Sequence, residues 1–298
     1  MSTKLPLLIS FSDYQQQAKA LAMVCGIPYE TIQLHHFPDG ESQLILPVDL
    51  PETVIVCRSL NEPNSKLIEL MLTAQSLRQN GVERIILVAP YLCYMRQDKA
   101  FHPGEVVSQS IIGRFLAGLF DAVITVDTHL HRISELREAI PIENAVNINA
   151  TQPMADFIET RFNNPLLLGP DGESEQWVKD IATHFRFDYA VAQKQRLGDH
   201  KVLVTLPERA YSGRDIIIVD DVASTGKTLL EAAKQLMPYQ PASVSVLVSH
   251  ALFMDDAIEQ LNAAGIQHIY SCDSIPHPTN TVSLANLLAN ALQDVLRH

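Results

Sequence analysis

The chain has 298 residues, 47 % of them apolar and 19 % charged, with a formal net charge of −12 at pH 7. That length accommodates one large or two medium domains with a substantial core. The negative balance argues against nucleic-acid and anionic-membrane partners, and no apolar run approaches the roughly 18 residues that a bilayer span requires.

Met1 to Pro6 has no long apolar stretch after its lysine, so no signal peptide is expected. Leu7–Ile9 predicts a first strand and residues 13–25 a helix. Phe37-Pro38-Asp39-Gly40-Glu41 carries a Pro-Asp-Gly turn signature. Thr53–Cys57 predicts a strand, and residues 64–80 place apolar side chains at helical spacing before Gly81 as a C-cap. Arg84–Ala89 predicts a strand stopped by Pro90. The segment behind it, with Arg96, Gln97, Asp98 and Lys99, lies at the carboxyl edge where open α/β sheets bind ligands. Arg96 and Lys99 suit a polyphosphate, and Gln97 a base or phosphate edge. A helix over 105–119 and a strand over Ala122–Val126 follow, then Asp127-Thr128-His129-Leu130-His131, whose carboxylate or neutral imidazole suits a metal or its water shell. Taken singly, each of these segments also reads as a plain turn, a solvated charged loop or a structural histidine.

The pattern then restarts, and Asn144–Ala150 is taken as a boundary between residues 1–147 and 148–298. A helix over 151–162 and a strand over 165–169 lead to an acidic turn whose Asp171 is a candidate magnesium ligand. A helix over 173–185 and a strand over Tyr189–Ala192 precede Lys194 and Arg196, which alternate on an extended segment and so face one side. Strands over 201–205 and Asp215–Val219, a helix over 226–237, strands over Ser243–Val248 and His268–Tyr270, and a tail helix over 283–297 complete this half. Alternating strands and helices imply right-handed βαβ units and a parallel sheet in each half.

The most informative stretch is Ile216 to Thr228. A buried strand is closed by Asp220 and Asp221, then comes a turn of Ser224, Thr225 and Gly226, then a helix beginning near Lys227 and Thr228. Unpaired N–H groups and the dipole at a helix start suit a phosphate, while two adjacent carboxylates suit neighbouring sugar hydroxyls. The combination describes a pocket for a phosphorylated ribose, against the alternative of a strand-end aspartate acting as a helix cap. It is not a nucleotide P-loop, which needs glycine at position 221. The four cysteines lie far apart without metal-finger spacing and read as buried, reduced thiols.

Phe-Pro-Asp-Gly-Glu, Pro-Tyr-x-x-Tyr-x-Arg-Gln-Asp-Lys, Val-Asp-x-His, the Asp171 turn, Lys-x-Arg and Asp-Asp-x-x-Ser-Thr-Gly-x-Thr stand in the order and spacing of the ribose-phosphate pyrophosphokinases, which the chain resembles from about residue 5 to its end. The resemblance implies two tandem type I phosphoribosyltransferase-like α/β domains with central, mainly parallel sheets flanked by helices. It implies transfer of the diphosphoryl group of ATP to the C1 hydroxyl of ribose 5-phosphate, with Mg2+, in a cytoplasmic homo-oligomer, dimer or hexamer. Residue by residue, it implies that Phe37, Asp39, Gly40, Glu41, Arg96, Gln97 and Lys99 hold ATP. His129 and Asp171 would take the metal, Lys194 would act as the catalytic cation with Arg196 as helper, and Arg196 would also reach the sugar phosphate. Asp220 and Asp221 would hold the ribose hydroxyls, and Ser224, Thr225, Gly226, Lys227 and Thr228 the 5-phosphate.

The chain departs from the family pattern at Lys227, at Gly172-Glu173-Ser174 and at Cys93-Tyr94-Met95. Two other readings stay open at this level. A type I phosphoribosyltransferase shares the acidic and phosphate-turn loop but leaves the whole first half unexplained. A regulatory homologue would bind nucleotide without turnover.

Overall fold

In a computed structural model of the chain, residues 4–130, 132–196 and 202–297 are described. They form two compact units, residues 1–148 with 285–298, and residues 149–284.

The first unit begins with β1 (Leu7–Ser10), α1 (Gln15–Cys25) and β2 (Tyr29–Thr31). An antiparallel hairpin follows, β3 (Gln33–His36) and β4 (Ser42–Ile45). Next come β5 (Thr53–Cys57), α2 (Pro63–Gln79), β6 (Arg84–Val88), α3 (Ser108–Ala117), β7 (Ala122–Val126), α4 (Leu136–Ala139) and β8 (Asn144–Ile148). One parallel sheet runs β2-β1-β5-β6-β7-β8. Its central strands are apolar and buried along their length, as strands covered on both faces must be.

The second unit repeats the order: α5 (Thr151–Arg161), β9 (Leu166–Gly169), α6 (Glu175–Phe185), β10 (Asp188–Val191), then a two-stranded antiparallel ribbon of β11 (Gln193–Arg196) and β12 (Val202–Thr205). After it stand β13 (Asp215–Ala223), α7 (Lys227–Leu236), β14 (Ser243–Ala251), α8 (Ala257–Ala263), β15 (His268–Cys272) and β16 (Asn280–Val282). The sheet order is β10-β9-β13-β14-β15-β16, again parallel. Each unit has its own apolar core, around Ile9, Val56, Leu70 and Leu87 in the first and Leu168, Ile218, Leu229 and Val246 in the second.

The two tandem parallel-sheet α/β domains match the expected fold class. Two expectations are corrected. The units divide after Ile148, within the span taken as a boundary, and Asn144–Ile148 there forms the edge strand β8, pairing with β7 through Asn144 beside Ala122 and Ile148 beside Val126. The tail helix α9 (Ala285–Arg297), assigned above to the second half, groups with the first unit. Its buried stripe of Leu288, Leu292 and Val295 packs beside α1, and Arg84 donates to the Val295 carbonyl at 2.7 Å. The strand expected to stop at Val219 runs on to Ala223, with Asp220 beside Val248 and Val222 beside His250. The four cysteines are free thiols, three buried and Cys25 half-buried.

Candidate functional site

In the second unit the sheet gathers three segments that are distant in sequence. β9 ends at Gly169, and the turn behind it carries Asp171. The Asp171 side chain caps a short 3-10 turn by accepting from the Glu173 amide at 3.0 Å, and the Ser174 hydroxyl donates to the Asp171 carbonyl at 2.6 Å. Lys194, on β11, donates through Nζ to Asp171 Oδ2 at 2.9 Å and to Thr228 Oγ1 at 3.1 Å. Thr228 stands in the first turn of α7. One ammonium therefore ties the acidic turn, the ribbon and the start of α7 into a single cluster. Arg196 lies on the same strand, and the turn between β11 and β12 lies outside the described residues, as does His131.

Asp220 and Asp221 stand on β13 beside this cluster. Asp221 is buried, and its amide donates to Asp220 Oδ1 at 3.0 Å. Burial, then the charges of Asp221 and Asp171, raise the Asp220 carboxyl well above the ordinary aspartate range. Three carboxylates with one lysine make a surplus of negative charge, which a bound cation or a proton must relieve.

Beyond β13, the Ser224 carbonyl accepts from the Met254 amide at 2.9 Å, which pins the turn. Gly226 precedes α7 with φ +66°, a left-handed conformation that glycine takes without steric cost. No side chain caps α7, so its first amides are available to an anion. The departure at Lys227 fits the local backbone. The left-handed residue is Gly226, and Lys227 is the exposed first helical residue, where any L side chain fits.

The first unit carries the remaining candidates. Phe37 to Glu41 form the tip of the β3–β4 hairpin. The Phe37 amide donates to the Glu41 carbonyl at 2.8 Å, the Gly40 amide to the Phe37 carbonyl at 2.9 Å and the Glu41 amide to Asp39 Oδ1 at 3.2 Å. The Phe37 ring meets His35 edge-on with centroids 5.0 Å apart. Arg96, Gln97 and Lys99 lie in the loop after β6. Gln97 donates to the Lys99 carbonyl at 3.0 Å, and the Lys99 ammonium lies 4.7 Å from the Phe101 ring. Asp98 is occupied by Arg132 at 2.6 Å. Arg96 is exposed and has no ion-pair partner among the described residues. His129 is half-buried just beyond β7, following Asp127, whose φ is +40°. Among the described residues no hydrogen bond or ion pair joins the hairpin tip to the Arg96 loop, and no cluster of three metal-ligating side chains occurs.

Sequence reasoning missed a buried polar network beneath these loops. Arg58, directly after β5, pairs with Glu69 at 2.6 Å and with Asp13 at 3.1 Å, and its guanidinium lies 3.8 Å from the centre of the Phe11 ring. Lys66 also reaches Asp13 at 3.1 Å and donates to the Ser59 carbonyl at 2.9 Å. Tyr94 donates to Asn64, linking the Arg96 loop to the start of α2. A signal was present: Lys66 and Glu69 fall at helical spacing with Leu70, Thr73 and Leu77, so charges sit on the face that packs inward.

The chain matches a family model described as the N-terminal domain of ribose phosphate pyrophosphokinase over residues 7–119, and a phosphoribosyl transferase domain model over residues 137–284. It is 33 % identical to the ribose-phosphate pyrophosphokinase of Halobacterium salinarum over 96 % of this chain and 100 % of that one. Identity to the enzyme of that name from Methanopyrus kandleri is 30 %, over 97 % of this chain and 99 % of that one. The crystal structure of phosphoribosylpyrophosphate synthetase from Mycobacterium smegmatis superposes with a TM-score of 0.84 at 20 % identity, covering 99 % of both chains, a likeness of fold.

Proposed function

The chain belongs to the ribose-phosphate pyrophosphokinase family, and from that membership we propose that it transfers the β,γ-diphosphoryl group of ATP to the C1 hydroxyl of ribose 5-phosphate. The products are 5-phosphoribosyl 1-diphosphate and AMP. The observation that carries this reading is the Lys194 ammonium bridging Asp171 and Thr228 beside the Asp220–Asp221 pair.

The sugar C1 oxygen attacks the β-phosphorus, the bond from that phosphorus to the oxygen bridging it to the α-phosphorus breaks, and the hydroxyl proton is released. Such displacement needs positioning and stabilisation of spread negative charge rather than covalent help. Asp220 and Asp221 accept hydrogen bonds from the ribose hydroxyls, and the first amides of α7 with Ser224, Thr225 and Thr228 receive the 5-phosphate. Lys194, with Arg196, stabilises charge on the transferring group. The hairpin tip from Phe37 to Glu41, with Arg96, Gln97 and Lys99, receives ATP. The carboxylate surplus around Asp171 fits a cation, and magnesium prefers few protein carboxylates completed by water and phosphate oxygens. Asp171 in the second unit and His129 in the first would each bind or position magnesium, which would supply neutralisation of polyphosphate charge. Homo-oligomeric assembly and a cytoplasmic location complete the reading. No described helix is long and apolar enough to cross a membrane.

The direct test incubates the chain with ATP, magnesium and ribose 5-phosphate in the absence of any nucleobase. AMP release in step with a phosphoribosyl diphosphate product is expected. Nucleotide binding without AMP release would assign a regulatory role instead.

A further inference from the structure

Glu69 lies on α2, is 1 % exposed, and divides its two carboxylate oxygens between two tasks. Oε2 takes the Arg58 guanidinium at 2.6 Å. Oε1 takes both the His36 ring at 2.8 Å and the Ser42 hydroxyl at 2.9 Å. His36 ends β3, Ser42 begins β4, and the two are register partners. They form the last rung before the turn from Phe37 to Glu41. A single buried carboxylate therefore grips both legs of the hairpin at its neck.

Fold stability does not account for this arrangement. A buried ion pair returns little net stability over an apolar replacement, because desolvation offsets the attraction. Arg58 is also partly neutralised by Asp13 and braced on Phe11. The second oxygen is spent on a hairpin that rests on the core through half-buried Leu34 and Leu44 but whose other residues are mostly exposed, with His36 57 % exposed at the side chain. A two-stranded ribbon alone is marginal in water, so such a hairpin needs an anchor to hold one orientation. The anchor sits on a helix packed into the core through Leu70, Ala74 and Leu77.

We propose that Glu69 is a positioning residue for the nucleotide: it clamps the neck of the β3–β4 hairpin and so fixes where the tip from Phe37 to Glu41 is presented to ATP. This rests on the reading of that tip as part of the ATP site.

The test uses the full chain with His36→Ala and Ser42→Ala combined, which cuts the clamp and leaves the Arg58–Glu69 pair in place. Amide hydrogen exchange at Phe37 and Gly40 is expected to accelerate about tenfold or more as the neck opens. The KM for ATP is expected to rise about tenfold, with kcat and the KM for ribose 5-phosphate within about twofold of the parent. Ser42→Thr, which keeps the hydroxyl, should retain parental values. Unchanged exchange at the tip overturns the clamp whether or not the chain turns over, and equal rises in both KM values overturn its role toward ATP. Faster exchange in a chain that releases no AMP leaves the clamp standing and removes the proposed reaction instead.

Discussion

The two units use one plan for opposite ends. Each runs strand, helix, strand, antiparallel ribbon, strand, helix, and the third sheet strand is followed by a loop feeding a helix: β5 into α2, and β13 into α7. In the first unit that loop is closed upon itself. Arg58, Lys66, Asp13 and Glu69 balance two positive against two negative charges within hydrogen-bonding distance. In the second unit the equivalent place is left unbalanced, with three carboxylates against one lysine and a helix start that no side chain caps. Duplicated architecture thus does not imply duplicated chemistry. The first unit pairs its charges with one another, while the second leaves a surplus of negative charge.

The contrast is broken most severely at Lys194. Lys194→Ala removes the cation proposed to stabilise developing phosphate charge. A loss in kcat of about 10²–10³-fold is expected, with KM values little changed. Quantitative AMP release under saturating substrates measures it, and near-parental turnover would leave Lys194 a structural bridge between Asp171 and Thr228.

The same manipulation in the first unit should act on folding. Glu69→Gln takes from Arg58 the nearer and more buried of its two carboxylates, leaving Asp13, and a cost of about 2–3 kcal/mol is expected near neutral pH. Burial pushes the Glu69 carboxyl up, but hydrogen bonds from His36, Arg58 and Ser42 with the Arg58 charge bring it below the ordinary glutamate value. A carboxyl depressed in the folded state adds stability that is complete above its unfolded pKa and disappears as pH falls through the folded value. The difference in Tm between parent and variant should therefore be largest near pH 7 and shrink below about pH 4. A difference independent of pH would mean that shape, not charge, is what Glu69 supplies.

Asp220→Asn probes the unbalanced side more gently. The amide keeps the size and accepts only through one oxygen, so the KM for ribose 5-phosphate should rise about tenfold and that for ATP less than twofold. Equal effects on both substrates would detach the acidic pair from the sugar.

Legibility in the sequence followed burial. Strands covered on both faces, Thr53–Cys57 and Ala122–Val126, were read to the residue because an unbroken apolar run has few other homes. The first ribbon, β3 with β4, and the edge strand β8 escaped because their residues are half exposed and give no apolar run. β13 was cut short at Val219 because two carboxylates read as a strand end, whereas they continue the strand beside Val248 and His250. The motif residues were legible one by one. The contact of Lys194 with Asp171 and Thr228 was not, since only the order of strands in the sheet brings those segments together. The Glu69 network was hidden by the habit of reading charges in an amphipathic helix as its wet face.

The smallest effect sharpens the comparison at a single turn. Gly226 and Lys227 are neighbours, and their replacement by alanine should differ in kind. At Gly226 an added Cβ would meet only ordinary van der Waals contacts, the nearest being the Ala257 Cβ at 3.5 Å, so space is not the obstacle. The obstacle is φ +66°, where an L side chain costs about 1–2 kcal/mol. Relief of that strain would rotate the amides that begin α7 away from the phosphate, so Gly226→Ala should lower Tm by a few degrees and raise the KM for ribose 5-phosphate together. Lys227→Ala, at an exposed helical position with favourable propensity, should leave Tm unchanged and touch the KM only through a lost long-range charge that salt already screens. If Lys227→Ala instead proved the more damaging, the lysine side chain, and not the backbone of the turn, would be what holds the sugar phosphate.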